Sequence, residues 1–158
     1  MSKIHPTLRE ILKNNLDKLE VFECLDEFSD TQKFCNHYGF DIKDACNAIL
    51  LKSKKPEIFY SLFCILGSEK LDVNHKAKSA MLSKKVSFAS KEEAEEVTKQ
   101  IYGGISPLGL NENIKVFVDE NVLTREKIFI GAGNRTTKFF LQPKDLIKLT
   151  NSEVLSLT

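Results

Sequence analysis

A glycine- and proline-rich segment constrains this chain more than any other stretch of its sequence. Gly103-Gly104-Ile105-Ser106-Pro107-Leu108-Gly109 lies between a charged helical pattern and an apolar strand pattern. Glycine tolerates positive φ and close approach by another group, whereas Pro107 fixes its own φ and biases Ser106 towards an extended conformation. We therefore predict a stiff loop with outward-pointing backbone amides, suited to hold a carbonyl or phosphate oxygen. A purely structural turn is the alternative.

Length and composition predict one globular domain over residues 1–158. Of the 158 residues 42% are hydrophobic and 28% charged, and the formal net charge is +1. A chain of this size can bury its own core, and its composition is not that of a disordered protein. The small net charge gives no strong signature of nucleic-acid binding and we expect no DNA partner, although local lysine clusters are compatible with a tRNA.

The cysteines and the longest apolar runs indicate where such a chain functions. Cys24, Cys35, Cys46 and Cys64 show no C-x-x-C spacing, and no histidine pair has metal-ligand spacing. No apolar run is long enough to cross a bilayer, and the N-terminus lacks the pattern of a signal peptide. We expect reduced thiols, a cytoplasmic location, and neither a membrane partner nor a bound metal.

The hydrophobic pattern predicts helices and strands in an irregular order. Helical spacing from Leu8 to Leu19 predicts an N-terminal amphipathic helix of about four turns within residues 1–19. A second helix is expected to begin behind the N-cap candidates Ser29, Asp30 and Thr31 and to end at Gly39. Further helices are expected after Asp72, behind a capping box at Ser90, and after Pro143. Strands are expected at 21–25, 48–52, 58–66, 86–89, 115–119, 127–131 and 136–141. The absence of a regular βαβ alternation favours an α+β fold.

Side chains for nucleophilic or acid–base catalysis are scarce in this sequence. His5, His37 and His75 are expected to be surface or packing residues, and none lies in a nucleophile motif. The adjacent carboxylates at 92–93 and 95–96 belong to an exposed helix face. We predict no metal and no other cofactor.

A second glycine-containing turn, Gly131-Ala132-Gly133, lies between two strands that should pair as a hairpin. A tight turn or bulge is one interpretation, and the wall of a binding site is the other. A G-x-G pattern without a third glycine and followed by a strand is not a dinucleotide-binding fingerprint.

The order of several motifs resembles a known family. These motifs are Ala48-Ile49-Leu50-Leu51-Lys52, Lys70-Leu71-Asp72, Lys84-Lys85-Val86-Ser87-Phe88-Ala89-Ser90, Gly103 to Gly109, Val116-Phe117-Val118-Asp119-Glu120 and Ile130-Gly131-Ala132-Gly133. Their series is similar to the YbaK family of aminoacyl-tRNA editing domains, which is related to the editing insertion of bacterial prolyl-tRNA synthetase. The resemblance covers roughly residues 20–150.

This resemblance implies a fold, an activity and a site. The fold would be a mixed, strongly curved, barrel-like sheet flanked by helices. The activity would be that of a trans-acting deacylase, which hydrolyses the ester of a misacylated tRNA without a metal, assisted by a free hydroxyl of the terminal ribose. A synthetase is a further candidate partner. The implied substrate-binding residues are Gly103, Ile105, Pro107 and Gly109, with Gly131, Ala132 and Gly133 as a nearby wall. The implied catalytic residues of the pocket are Gly104 and Ser106.

One position departs from the family pattern. Members usually carry a lysine just before the first apolar strand, and Asn47 stands there in this chain; a shift of one residue would place Cys46 or Ala48 there instead. Asparagine donates a hydrogen bond without charge, a difference worth on the order of 1–2 kcal/mol. The alternative function is therefore a binding module for aminoacyl-tRNA or an amino-acid-like ligand with weak or no turnover. Lys138 restores a cation if it faces inward, whereas the competing interpretation places it in solvent.

Overall fold

The computed structural model describes residues 3–158, which form two β-sheets and five α-helices. The strands are β1 (Glu20–Glu23), β2 (Cys46–Lys55), β3 (Phe59–Leu66), β4 (Lys85–Phe88), β5 (Lys115–Asp119), β6 (Ile128–Gly131), β7 (Thr137–Leu141) and β8 (Glu153–Leu155). The α-helices are α1 (Arg9–Asn14), α2 (Thr31–Tyr38), α3 (Lys78–Ala80), α4 (Lys91–Thr98) and α5 (Pro143–Thr150). The chain also forms short 3₁₀ turns and one π-helical turn. The 3₁₀ turns are Pro6–Leu8, Asp26–Phe28, Ile42–Asp44 and Glu120–Thr124, and the π-helical turn is Val73–Ala77.

The strands divide into two open sheets. The larger has the order β4-β2-β3-β5-β8, with the β2–β3 hairpin antiparallel and β3, β5 and β8 parallel to one another. The smaller, β1-β7-β6, is antiparallel throughout. A single parallel bridge between Ala45 and Phe129 joins the start of β2 to β6. The mixed α+β class is confirmed, but the expected barrel-like sheet is not supported, because neither sheet closes on itself.

Both faces of the larger sheet are buried. Along β3, Leu62, Cys64 and Leu66 face the main core, which the smaller sheet covers with residues such as Ile130 and Phe139. The intervening Phe63 and Ile65 pack in a second cluster on the opposite face, together with Met81 beside α3. This two-sided burial explains why β3 is a continuous apolar run rather than an alternating one.

Helix α2 covers the outer face of the smaller sheet. Phe34 on α2 packs in a cluster with Phe129 of β6 and Phe140 of β7. The helix begins at Asp30, whose side chain accepts the Lys33 amide, and ends at Gly39 with φ 78°. Both ends are confirmed predictions, since these residue types cap helices through local hydrogen bonds and positive φ.

Helix α4 is attached to the larger sheet through Glu93. The capping box of Ser90 with Glu93 is present as predicted. The Glu93 carboxylate also accepts hydrogen bonds from Lys52 on β2 and from Tyr60 on β3. The hydrogen bond from Lys52, with help from the Ser90 amide and Tyr60, lowers the pKa of Glu93 to about 2.

Two local expectations fail near the chain ends. The N-terminal helix is shorter than predicted: α1 ends at Asn14, and Leu16 is 68% exposed. The Asn15 side chain donates to the Ile11 carbonyl, so it satisfies the end of the helix before the chain turns towards β1. Strand β8 was not predicted. Within residues 3–158, no helix combines the length and apolarity that a membrane crossing requires.

Candidate functional site

A cavity of about 440 Å³ lies where α2, β2, the smaller sheet and the glycine- and proline-rich loop meet. Its volume is in the range of small-molecule binding sites. The predicted residues that line it are Asn47, Gly103, Gly104, Ile105 and Gly131. The predicted residues outside its lining are Ser106, Pro107, Gly109, Ala132 and Gly133.

Ser106 faces the protein interior instead of the cavity. Its amide donates to the Gln100 side-chain oxygen at 2.6 Å, and the Gln100 amide nitrogen donates to the Leu108 carbonyl at 2.8 Å. The Ser106 hydroxyl in turn accepts the Leu108 amide at 3.2 Å. The expectation that this hydroxyl lines the pocket is therefore wrong. Gln100, which is only 2% exposed, holds the loop from behind and was missed because no local pattern marks it.

The glycines at 104 and 131 are required by contacts between the two loops. A Cβ atom at Gly104 would overlap the Asn134 carbonyl, and one at Gly131 would lie 2.5 Å from the Ile105 carbonyl oxygen. The Gly133 amide donates to the Gly104 carbonyl at 2.6 Å. The glycines thus allow the backbones to meet, and their contact forms one edge of the cavity.

Two backbone amides of the loop at the cavity wall have no acceptor within the described part of the protein. The Gly104 amide donates to the Ile101 carbonyl at 3.0 Å, and that of Ser106 is held by Gln100. The amides of Gly103 and Ile105 have no acceptor within residues 3–158, and both residues line the cavity. Of the backbone amides predicted to hold a ligand oxygen, those of Gly103 and Ile105 are therefore the two candidates at the cavity.

Asn47 lies on β2 at the cavity wall with a defined orientation. The Thr31 hydroxyl at the start of α2 donates to the Asn47 side-chain oxygen at 2.9 Å. The amide nitrogen of Asn47 is the end left for a ligand, so this position offers neutral N–H donors. Thr31 was missed by the sequence analysis, where it figured only as a candidate cap.

Lys138 is a buried cation on the cavity wall. It is 8% exposed, and its ammonium donates to the Ser29 carbonyl at 3.0 Å and lies 5.2 Å from the centre of the Phe34 ring. Burial lowers the pKa of Lys138. The interpretation that placed this side chain in solvent is wrong, because β7 is covered by α2 on that face.

The remaining reactive side chains near the cavity do not form a nucleophile paired with a general base. Cys46 lines it, but the hydrogen bond with Cys64 and burial raise the pKa of Cys46 well above its ordinary value, which keeps the thiol protonated. None of His5, His37 and His75 lines the cavity. Among residues 3–158, no group of three or more His, Cys, Asp and Glu side chains is placed to hold a metal ion.

Comparison with known proteins identifies the family of this chain. The family model described as the aminoacyl-tRNA editing domain matches residues 26–149. The chain belongs to the aminoacyl-tRNA editing domain family. The resemblance drawn from the sequence motifs is confirmed, and the matched segment of this editing domain contains every residue that lines the cavity.

Three proteins similar to this editing domain are one sequence relative and two solved structures. The proposed Cys-tRNA(Pro)/Cys-tRNA(Cys) deacylase EbsC of Enterococcus faecalis is 30% identical over 94 residues, 60% of this chain, and the match spans 57% of EbsC. The crystal structure of a proposed trans-editing enzyme for prolyl tRNA synthetase has a TM-score of 0.83 at 22% identity and covers 99% of both chains. A structure described only as that of a hypothetical protein has a TM-score of 0.84 at 20% identity, over 96% of this chain and 98% of the other. These structural similarities show the fold.

Proposed function

We propose that this editing domain is a trans-acting aminoacyl-tRNA deacylase. It hydrolyses the ester that links a wrongly attached amino acid to the 3′ end of a tRNA. The observation that carries the proposal is the concentration of N–H donors around one cavity: the backbone amides of Gly103 and Ile105 and the side-chain amide of Asn47. Preorganised donors of this kind stabilise the negative charge that develops on an ester oxygen during hydrolysis.

The residues divide into those that contact the substrate and those that position them. The amides of Gly103 and Ile105 hold the ester carbonyl oxygen, and the Asn47 amide donates to the same end of the substrate. Ser106 positions the loop through Gln100, and Gly104 positions it through the backbone of the neighbouring turn. The other predicted residues do not line the cavity and act only on its shape; these are Pro107, Gly109, Ala132 and Gly133.

The reaction needs few groups from the protein. Water adds to the ester carbonyl carbon, the bond from that carbon to the ribose oxygen breaks, and the ribose oxygen takes a proton. A hydroxyl of the terminal ribose, supplied by the tRNA, assists the attack. A hydroxyl supplied by the substrate agrees with a cavity whose lining contains neither a histidine nor a thiol able to ionise near neutral pH.

A groove beside the cavity supports a nucleic-acid substrate. It shares Ala48, Ile49, Tyr102 and Ile105 with the cavity and continues to Phe88. Tyr102 is 50% exposed and Phe88 is 63% exposed, and exposed aromatic side chains stack unpaired bases without sequence preference. We assign this groove to the terminal nucleosides of the tRNA.

The partners and the location follow from the same proposal. The name of EbsC points to Cys-tRNA(Pro) and Cys-tRNA(Cys) as the first substrates to examine. A synthetase partner is consistent with the proposed trans-editing enzyme for prolyl tRNA synthetase whose structure shares this fold. Both assignments, and a location in the cytoplasm where charged tRNAs are used, remain part of the proposal. The non-hydrolysing binding module is not favoured, because the named relatives are described as deacylating or editing proteins.

The test is release of amino acid from a panel of mischarged tRNAs. We expect the purified protein to release a small noncognate amino acid from at least one of them, with Cys-tRNA(Pro) measured first. The variant Gln32→Met, at an exposed position of α2, serves as the control and should keep full activity. If every mischarged tRNA survives incubation with folded protein, the deacylase proposal fails.

A further inference from the structure

We propose that Lys138 binds the phosphate group of the terminal nucleotide of the tRNA. It supplies, from the smaller sheet, the positive charge that Asn47 does not offer on β2. This inference rests on the proposed function, because it names the part of the tRNA that this side of the cavity holds. It adds a substrate-binding residue that lies outside all of the glycine-containing motifs.

The first argument is that the Lys138 ammonium lacks a counter-ion. An ammonium has three N–H donors, and the Ser29 carbonyl accepts one of them at 3.0 Å. Within the described part of the chain no carboxylate lies at ion-pairing distance from this ammonium, and Asp30 on the cavity wall accepts the Lys33 amide. A buried charge without a counter-ion is costly, so an ammonium on the wall of a cavity suits an anionic ligand.

The second argument is that Lys138 is the cation of this wall that is free for a ligand. Arg135 also lines the cavity, but its guanidinium donates to the Asp26 carboxylate at 3.0 Å and to the Asp26 carbonyl at 3.3 Å. The charge of Arg135 is therefore paired, whereas that of Lys138 is not.

The strand register explains how Lys138 reaches the same space as Asn47. The parallel bridge of Ala45 with Phe129 joins the start of β2 to β6, and Asn47 and Gly131, each two residues further along, both line the cavity. Gly131 is in turn the cross-strand partner of Lys138. Asn47 on β2 and Lys138 on β7 thus line the same cavity.

The third argument is the match between charges and groups of the substrate. A phosphodiester carries a full negative charge before the reaction begins, whereas an ester carbonyl is only polar at that stage, so the phosphate is the better partner for an ammonium. The amides of Gly103 and Ile105 suit the carbonyl. The amino group of the substrate is cationic and is repelled by Lys138. The phosphate and the ester are attached to the same ribose, so one cavity receives both.

The test compares binding of adenosine 5′-monophosphate with binding of adenosine, by calorimetry at low salt. A charge-assisted hydrogen bond is worth about 1.5–3 kcal/mol, so we expect the parent protein to bind the nucleotide roughly 10- to 100-fold more tightly. Lys138→Met should remove this preference, and Lys138→Arg, which keeps the charge, should retain it. Lys127→Met, at an exposed lysine that pairs with Glu20, is the matched control and should leave the preference unchanged.

Kinetics give a second readout. With a mischarged tRNA, Lys138→Met should raise KM about tenfold, the lower end of that preference, and leave kcat within about twofold, as expected for a contact made equally in the ground and transition states. Circular dichroism establishes that each variant is folded. A parent protein that binds nucleotide but deacylates nothing contradicts the proposed function and leaves this inference supported. Equal affinity of the parent for nucleotide and nucleoside, or a preference that survives in folded Lys138→Met, overturns it.

Discussion

Replacement of Gln100 by methionine tests how the loop of the candidate site is held. The two ends of this side-chain amide bind the Ser106 amide and the Leu108 carbonyl, at 2.6 and 2.8 Å. Both groups are buried, with 0% and 1% residue exposure, so water cannot take the place of glutamine. Methionine has a similar length and fills the space, which limits any cavity contribution. The main effect is therefore the loss of partners for two buried backbone groups.

Each of the two unsatisfied buried groups costs about 1–3 kcal/mol, so we expect Gln100→Met to lower the free energy of unfolding by roughly 2–6 kcal/mol. The chain contains no tryptophan, and urea unfolding is best followed by far-ultraviolet circular dichroism. Gln32→Met, an exposed glutamine on α2, is the matched control and should change stability by less than about 0.5 kcal/mol. The rate of deacylation by folded Gln100→Met should fall about tenfold, because the loop is displaced. A tenfold fall corresponds to a loss of about 1.4 kcal/mol in transition-state stabilisation. A destabilisation below about 1 kcal/mol would refute the assignment of Gln100 as the residue that holds the loop.

Four further outcomes are expected. Gly104→Ala should cost roughly 1–3 kcal/mol of stability and most of the activity, because the added methyl overlaps a backbone carbonyl; normal urea unfolding would contradict this. Asn47→Lys should change the KM of the parent little but should lower the raised KM of Lys138→Met about tenfold. Additive effects of the two substitutions on KM would contradict a phosphate that both positions can contact. Tyr102→Ala should weaken tRNA binding by about 1–3 kcal/mol without lowering kcat, and an unchanged KM would exclude the stacking role. The carboxyl of Glu93 should titrate by NMR near pH 2 instead of 4.5. Since its folded pKa lies below the unfolded value, its stabilisation is present above pH 4.5 and is lost as the pH falls towards 2.

The sequence motifs located the candidate site more reliably than they assigned its side chains. Asn47, Gly103, Gly104, Ile105 and Gly131 do line one cavity. Ser106, from the same segment, turns inward, because Gln100 holds its amide from the core side. A motif therefore indicates which segment forms a wall, whereas the direction of each side chain depends on what packs behind it.

The sequence by itself determined the local structure and the family. The caps at Asp30 and Ser90, the end of α2 at Gly39 and strands β1 to β7 were all predicted, since each depends on backbone preferences and hydrogen bonds within a few residues. The order of motifs also identified the aminoacyl-tRNA editing domain family, because motif order is a property of the chain and not of its packing.

Only the tertiary structure decided how the strands divide into two sheets and which way Lys138 faces. Both depend on pairing between residues far apart in the chain, such as Ala45 with Phe129 and Gly131 with Lys138. A period-2 pattern shows that a strand has two faces but not which neighbour covers each face. Helix α2 covers the face that carries Lys138, and this contact places a buried ammonium, rather than a solvated one, beside Asn47.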